Sequence, residues 1–116
     1  MLFRSKSNPT TSFVALFEGQ IVGAILAGHD GRRGFIQHIA VLSEFRKHGV
    51  ASTLVNKAMN ALEEEGIHKV ALLTFKKNAL GNSFWDKMGF TVREDVYYRN
   101  KNIHELEYRA NPYRNE

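Results

Sequence analysis

Six consecutive residues, Arg46-Lys47-His48-Gly49-Val50-Ala51, bring together what a bulky anion needs. They stand between an apolar run ending at Leu42 and an amphipathic run beginning at Val50. Where a helix starts, backbone N–H groups lack intrahelical partners and the macrodipole supplies about half a positive charge. A glycine just ahead of that helix lets the backbone approach an anion with no side chain in the way. Ala51 keeps the next turn small, so successive N–H groups can converge on a pyrophosphate. Arg46 adds a planar fork of donors. As a bare pattern RxxGxA has little specificity; the strand before it and the long helix after it give it weight. No GK[ST] ends the turn, so it is not a P-loop, and the GxGxxG of dinucleotide folds is missing.

The remaining polar residues narrow the chemistry. His29, His38, His48, His68 and His104 are scattered without the close spacing of a zinc motif, and there is no cysteine. Neither a metal site nor a disulfide framework is expected. Histidine exchanges protons near neutral pH, so His38, within a strand, is a candidate base. Its neighbour Gln37 is expected on the opposite strand face and cannot be a base. The formal charge of +4 favours anionic partners, yet the basic residues are dispersed: Arg32 and Arg33, Arg46 and Lys47, Lys76 and Lys77, Arg109 and Arg114. With no helix-turn-helix, zinc-finger or RNP pattern, nucleic acid is not an expected partner.

These residues must be positioned by one small domain. A chain of 116 residues with 43% hydrophobic and 24% charged residues fits a single globular core. No apolar run reaches the roughly 20 residues that cross a bilayer, and MLFRSKSNPTT lacks the apolar region of a signal peptide. No membrane association is expected, and the cytoplasm is the expected location. Residues 1–11 read as a loose polar segment and residues 12–116 as the domain. Ser12–Phe17 and Gln20–Ala27 are strand-like runs around the hairpin signal Glu18-Gly19. GHDGRRG, residues 28–34, turns the chain again into a third strand, Phe35–Leu42. That strand is apolar on both faces except at Gln37 and His38, as suits a central strand covered on both sides. Val50, Leu54, Ala58 and Leu62, widened by Ala51, Val55 and Met59, form the core-facing band of a long helix that Gly66 ends. Lys69–Phe75 reads as a buried strand, and a right-handed crossover makes it parallel to the third. Asn78 caps a second helix, Ala79–Met88, and Phe90–Tyr98 and Asn102–Tyr108 close the chain as strands. The order β-β-β-α-β-α-β-β is that of an α/β (α+β) domain with a mixed sheet.

A strand ending in IAV, the RxxGxA turn with its long helix, and then NALGNSFWDKMGF resemble, in that order, the motifs of the GCN5-related N-acetyltransferases. The resemblance covers about Ser12–Tyr108. It implies a mostly antiparallel sheet whose central parallel pair splays apart to take acetyl-coenzyme A, with two main helices. The strand and helix pair that usually come first in the family are expected to be absent. The resemblance implies that the backbone of Ile39, Ala40 and Val41 holds the pantetheine and thioester. Arg46, Lys47, His48, Gly49, Val50, Ala51 and Ser52 would surround the pyrophosphate, and Asn78 and Trp85 would line the groove. The implied reaction is direct attack of a neutral primary amine on the thioester within a ternary complex. It needs a group to take the amine proton, for which His38 is the candidate, and an N–H for the developing oxyanion, which would be that of Val41. The family's Phe-Tyr pair is Phe84-Trp85 here, and an indole N–H cannot act as an acid near neutral pH. Protonation of the thiolate then falls to Tyr97, Tyr98 or water, with Tyr98 the first candidate. Only about a dozen polar residues precede Phe13, so the acceptor side is expected to be short. A second copy in a homodimer is expected to cover the sheet edge and apolar surface left open. The alternative is a coenzyme A-binding or sensory module without turnover.

Overall fold

A computed structural model describes residues 2–4 and 10–104. Its strands are β1 (Leu2–Arg4), β2 (Phe13–Phe17), β3 (Gln20–His29), β4 (Gly34–Val41) and β5 (Val70–Ala71). The helices are α1 (Val50–Glu64) and α2 (Ala79–Lys87), with a single 3-10 turn at Ser43–Phe45. One sheet runs in the order β1-β2-β3-β4-β5, antiparallel except for the parallel pair β4–β5. The α/β class and the mixed, mostly antiparallel sheet are as the sequence predicts.

The helix is built by its apolar spacing. Leu54, Val55, Ala58, Ala61 and Leu62 are buried on one face of α1, against Phe13 and Ala15 of β2, Val22, Ile25 and Ala27 of β3, and Ile36 of β4. Each large side chain so buried contributes roughly 1.5–3 kcal/mol. At Gly23 the helix comes close: an added Cβ would lie 3.2 Å from Val50 Cγ1 and 3.3 Å from both Ala40 O and Leu54 Cδ1. The missing side chain therefore seats the first turn of α1 directly over β3. Gly66, at φ +84°, stands just past the helix as expected. At the opposite end of β3, the His29 ring accepts the Gly31 N–H at Nδ1 (3.0 Å), leaving Nε2 to donate to Glu65 Oε1 (2.7 Å). This ties the strand to the end of α1.

Four expectations need correction. Residues 1–11 are not loose throughout, because Leu2–Arg4 pairs antiparallel with Phe13–Ala15. The open edge of β2 presents backbone donors and acceptors, and a short neighbouring strand satisfies them. A strand therefore does stand ahead of the hairpin. Within the same segment Thr11 is buried, its Oγ1 donating to Ala27 O, and the buried Ser12 hydroxyl both donates to Ala27 O (3.1 Å) and accepts from Ala27 N (2.9 Å). Second, β4 is covered on one face only: Gly34 and Ile36 are buried, whereas Gln37, His38 and Ala40 are exposed. Third, the strand expected over Lys69–Phe75 pairs only at Val70–Ala71. Fourth, residues 90–98 form no strand, and Val92, Val96, Tyr97 and Tyr98 are exposed. The run Asn102–Tyr108 has no strand at 102–104, and its remainder lies outside the described residues.

Candidate active site

The site is built on a break in the regular pairing of β4. Leu26 pairs with His38 and Ala27 with Ile36, so Gln37 is an extra residue, a β-bulge. Its effect on parity is visible in the hydrogen bonds. Gly34 N–H donates to Lys69 O (2.9 Å), toward β5, while Leu42 N–H donates to Val22 O (2.9 Å), toward β3. Both are even-numbered positions, and N–H directions alternate along a strand, so only the inserted residue can reverse them. After the bulge, the N–H groups of Ile39 and Val41 therefore point toward the β5 side. There they meet no ladder, since β4 and β5 pair only at Gly34–Val70 and Phe35–Ala71 and then part. The bulge also changes which side chains face the core, from Gly34 and Ile36 before it to Ile39 and Val41 after it.

Beyond β4 the chain turns through Ser43–Phe45. The Phe45 ring packs on Phe17 at the hairpin tip, with centroids 5.3 Å apart, which anchors this turn. Lys47 and Gly49 both adopt positive φ, +66° and +80°. Gly49 is the N-cap of α1, with no side-chain cap and no acidic residue in the first turn. The first intrahelical bond runs from Thr53 N to Gly49 O (3.0 Å), so the N–H groups from Gly49 to Ser52 have no intrahelical partner. An added Cβ at Gly49 would meet nothing within 4 Å, so the space beside this glycine is open. Arg46 folds its Nε back onto Val41 O (3.3 Å), joining the turn to the end of β4. The arrangement is an electropositive cradle next to outward-facing strand amides.

The parting of β4 and β5 opens a cleft of about 600 Å³. One wall is residues 36–39 of β4 and the other is residues 72–75, with Asn78, Trp85 and Tyr98 completing the lining. Asn78 caps α2, its Oδ1 accepting from Gly81 N (3.0 Å). Trp85 is 7% exposed and sits edge-on between Phe84 and Phe90, at centroid distances of 4.9 and 5.1 Å. Tyr98 borders the cleft and remains 68% exposed, whereas Tyr97 lies outside the lining beneath the Arg99 guanidinium, 5.9 Å from its ring centre.

His38, Ile39, Asn78, Trp85 and Tyr98 thus meet around one cleft. Ala40 and Val41 continue its β4 wall toward the cradle formed by Arg46, Lys47, His48, Gly49, Val50, Ala51 and Ser52. Gln37, expected on the face opposite His38, also lines the cleft, because the bulge falls on it. Asn82 is a further residue the sequence reading did not single out. It binds the outer wall, and its only sequence signal is a second polar residue one turn after the Asn78 cap. The perturbed carboxylates lie elsewhere. Asp30 is held below the ordinary aspartate value by the N–H groups of Arg33 and Arg32, and Asp95 is drawn to about 2 by the Arg93 guanidinium. Among the described residues no three His, Cys, Asp or Glu side chains could share a metal ion, and no helix is long and apolar enough to cross a membrane.

The model of the acetyltransferase (GNAT) family matches residues 2–90. An N-acetyltransferase of Chlorobaculum tepidum is 37% identical over 90 residues, 77% of this chain and 55% of that protein. N-alpha-acetyltransferase 30 of Schizosaccharomyces pombe is 29% identical over 94 residues, 77% of this chain and 63% of that protein. The match therefore spans little more than half the length of these two relatives. Among solved structures, the aminoglycoside acetyltransferase AAC(6')-Iy in complex with a coenzyme A bisubstrate analogue superposes with a TM-score of 0.68 at 26% identity, over 78% of this chain and 68% of that one. Ard1 from Thermoplasma volcanium superposes with a TM-score of 0.70 at 27% identity, over 73% and 58% of the two chains.

Proposed function

As the chain belongs to the acetyltransferase (GNAT) family, we propose that it moves an acetyl group from acetyl-coenzyme A to a primary amine by direct attack in a ternary complex. The observation that carries this reading is the continuity of two features. A gap where β4 and β5 part exposes outward-facing amides on β4, and β4 leads within a few residues to the uncapped start of α1. The donor set suits the cosubstrate: unpaired helix N–H groups and Arg46, Lys47 and His48 for the pyrophosphate, and the backbone of Ile39, Ala40 and Val41 for the pantetheine arm and thioester.

Each residue then has a part in the reaction. The Val41 N–H faces the opening and would donate to the carbonyl oxygen as it gains charge. His38, exposed on the same wall, would take the proton from the attacking amine. Tyr98, at the cleft border, would return a proton to the departing thiolate, which the Trp85 indole cannot do. Peptide N-termini and amino sugars are the first acceptors to try, since N-alpha- and aminoglycoside acetyltransferases are among the similar proteins. The test is calorimetric titration with acetyl-coenzyme A followed by thiol release across an amine panel. Tight binding with thiol release on at least one amine is expected; absence of binding would refute the reading.

A second reading is a coenzyme A-binding or sensory module, favoured by Trp85, an indole packed where the family's pair carries a phenol. Its signature is tight binding with no thiol released on any acceptor. We also propose that the protein is cytoplasmic and forms a homodimer that covers exposed Leu80 and Val92. Sedimentation at micromolar concentration checks the homodimer, and a stable monomer would overturn it.

A further inference from the structure

We propose that Asn82 is a positioning residue that holds the outer wall of the cleft in place. Past Ala71 that wall has left the β4 ladder, so neighbouring-strand bonds no longer fix residues 72–75. Asn82 replaces them. Its Nδ2 donates to Phe75 O (3.0 Å) and Lys76 O (3.3 Å), and its Oδ1 accepts from the Thr74 hydroxyl. Thr74 and Phe75 line the cleft and Asn82 does not, so any effect of Asn82 passes through them. The two carbonyls dictate the orientation of the amide, since they can only accept, and this leaves Oδ1 for the hydroxyl. Asn82 is itself fixed in the first turns of α2, its N–H donating to Asn78 O (2.9 Å). Phe75 O also accepts from Asn78 N (3.1 Å), so the same helix start that contributes Asn78 to the lining sets the height of the opposite wall.

Aspartate at this position can still accept from Thr74 but would turn an acceptor toward two carbonyls. The wall should then be pushed away from α2 rather than merely released. Asn82→Asp is therefore the harshest change, Asn82→Ala intermediate and Thr74→Val, which deletes a single hydroxyl, the mildest.

The chain carries one tryptophan, and the nearly buried Trp85 lines the cleft that this wall bounds. Acrylamide quenching of its fluorescence in the full chain reads the wall directly, without any ligand. Quenching is expected to rise about twofold in Asn82→Asp, less in Asn82→Ala and least in Thr74→Val, in the order of lost and repelled hydrogen bonds rather than of melting temperature. A folded Asn82→Asp protein quenched like the wild type would overturn the proposal. Should that variant not fold, Thr74→Val decides, and unchanged quenching there is equally fatal. The second measurement rests on the acetyl-coenzyme A reading. Its affinity should fall about tenfold in Asn82→Asp, with KM raised more than kcat is lowered. A wild-type protein that binds no acetyl-coenzyme A sinks that reading and leaves the quenching series to decide on Asn82.

Discussion

Replacing Gly49 by glutamate puts a carboxylate into the open space beside the start of α1 and separates the two roles of that position. Gly49 is at φ +80°, where a side chain costs about 1–2 kcal/mol in backbone strain. No atom lies within 4 Å of the new Cβ, so no steric cost is added. The negative charge at a helix start returns about 0.3–1 kcal/mol. The net loss of about 1 kcal/mol corresponds to a fall of about 4–8 °C in melting temperature for a domain of this size. Binding should suffer far more. A carboxylate about 4 Å from a phosphate charge, at an effective dielectric constant near 20, costs about 4 kcal/mol, close to a thousandfold in affinity. Gly49→Ala is the control, since it carries the same backbone strain without the charge and should lose stability while keeping most of its affinity. Circular dichroism melting establishes that both variants fold, and calorimetric titration with acetyl-coenzyme A measures the difference. If folded Gly49→Glu binds as tightly as Gly49→Ala, the pyrophosphate is not held at this turn.

Three further perturbations probe other parts of the structure. Ser12→Ala removes a buried hydroxyl that serves both Ala27 O and Ala27 N, and should cost about 1–3 kcal/mol in urea unfolding because the Ala27 N–H loses its acceptor. Asp30 is ionised more easily in the folded chain than in the unfolded one, because the Arg33 and Arg32 N–H groups bind its carboxylate. Its contribution is therefore complete above the ordinary aspartate range and is lost as pH falls through the lower folded value. Asn at position 30 keeps the acceptor without the charge, so Asp30→Asn should flatten the acid side of the melting-temperature profile; an unchanged profile would contradict this. Tyr98→Phe should slow thiol release about a hundredfold with acetyl-coenzyme A affinity unchanged, and Trp85→Tyr should restore part of that rate if the phenol reaches the thiolate. Stopped-flow thiol detection separates these outcomes.

The parts of this fold that were legible in the sequence are those written in local pattern. Val50, Leu54, Ala58 and Leu62 place α1, Glu18-Gly19 places the hairpin, and Gly49 ahead of an apolar helix marks the cradle. The errors come where two strands decide jointly. Nothing in the apolar run Phe35–Leu42 says that one residue is extra, since a bulge is a property of register, so simple alternation puts Gln37 on the face opposite His38. Likewise the composition of residues 69–75 suits a strand throughout but does not encode where β5 leaves β4. Leu2–Arg4 reads as structureless among polar neighbours because its partner is the edge of β2, thirteen residues away at Leu2–Ala15. Asn82 was indistinguishable by type from any exposed polar residue of a short helix. Cofactor-side positions could be named because their chemistry belongs to backbone at a helix start, whereas His38 and Tyr98 depend on where side chains converge.

The bulge at Gln37 gives the chain an unequal tolerance to two kinds of genetic change. Since the side chain of Gln37 is exposed and the bulge is made by backbone, most substitutions there should leave the geometry of β4 intact. Deleting the codon removes the bulge and leaves the rest of the strand in register. Ile36 and His38 would then be adjacent, opposite Ala27 and Leu26, and Ile39 and Val41 would keep their core-facing side chains and the direction of their amides. An added residue is what β4 could not absorb in this way, because it would shift Ile39 and Val41 by one position against β3, whereas loops such as residues 30–33 could absorb it.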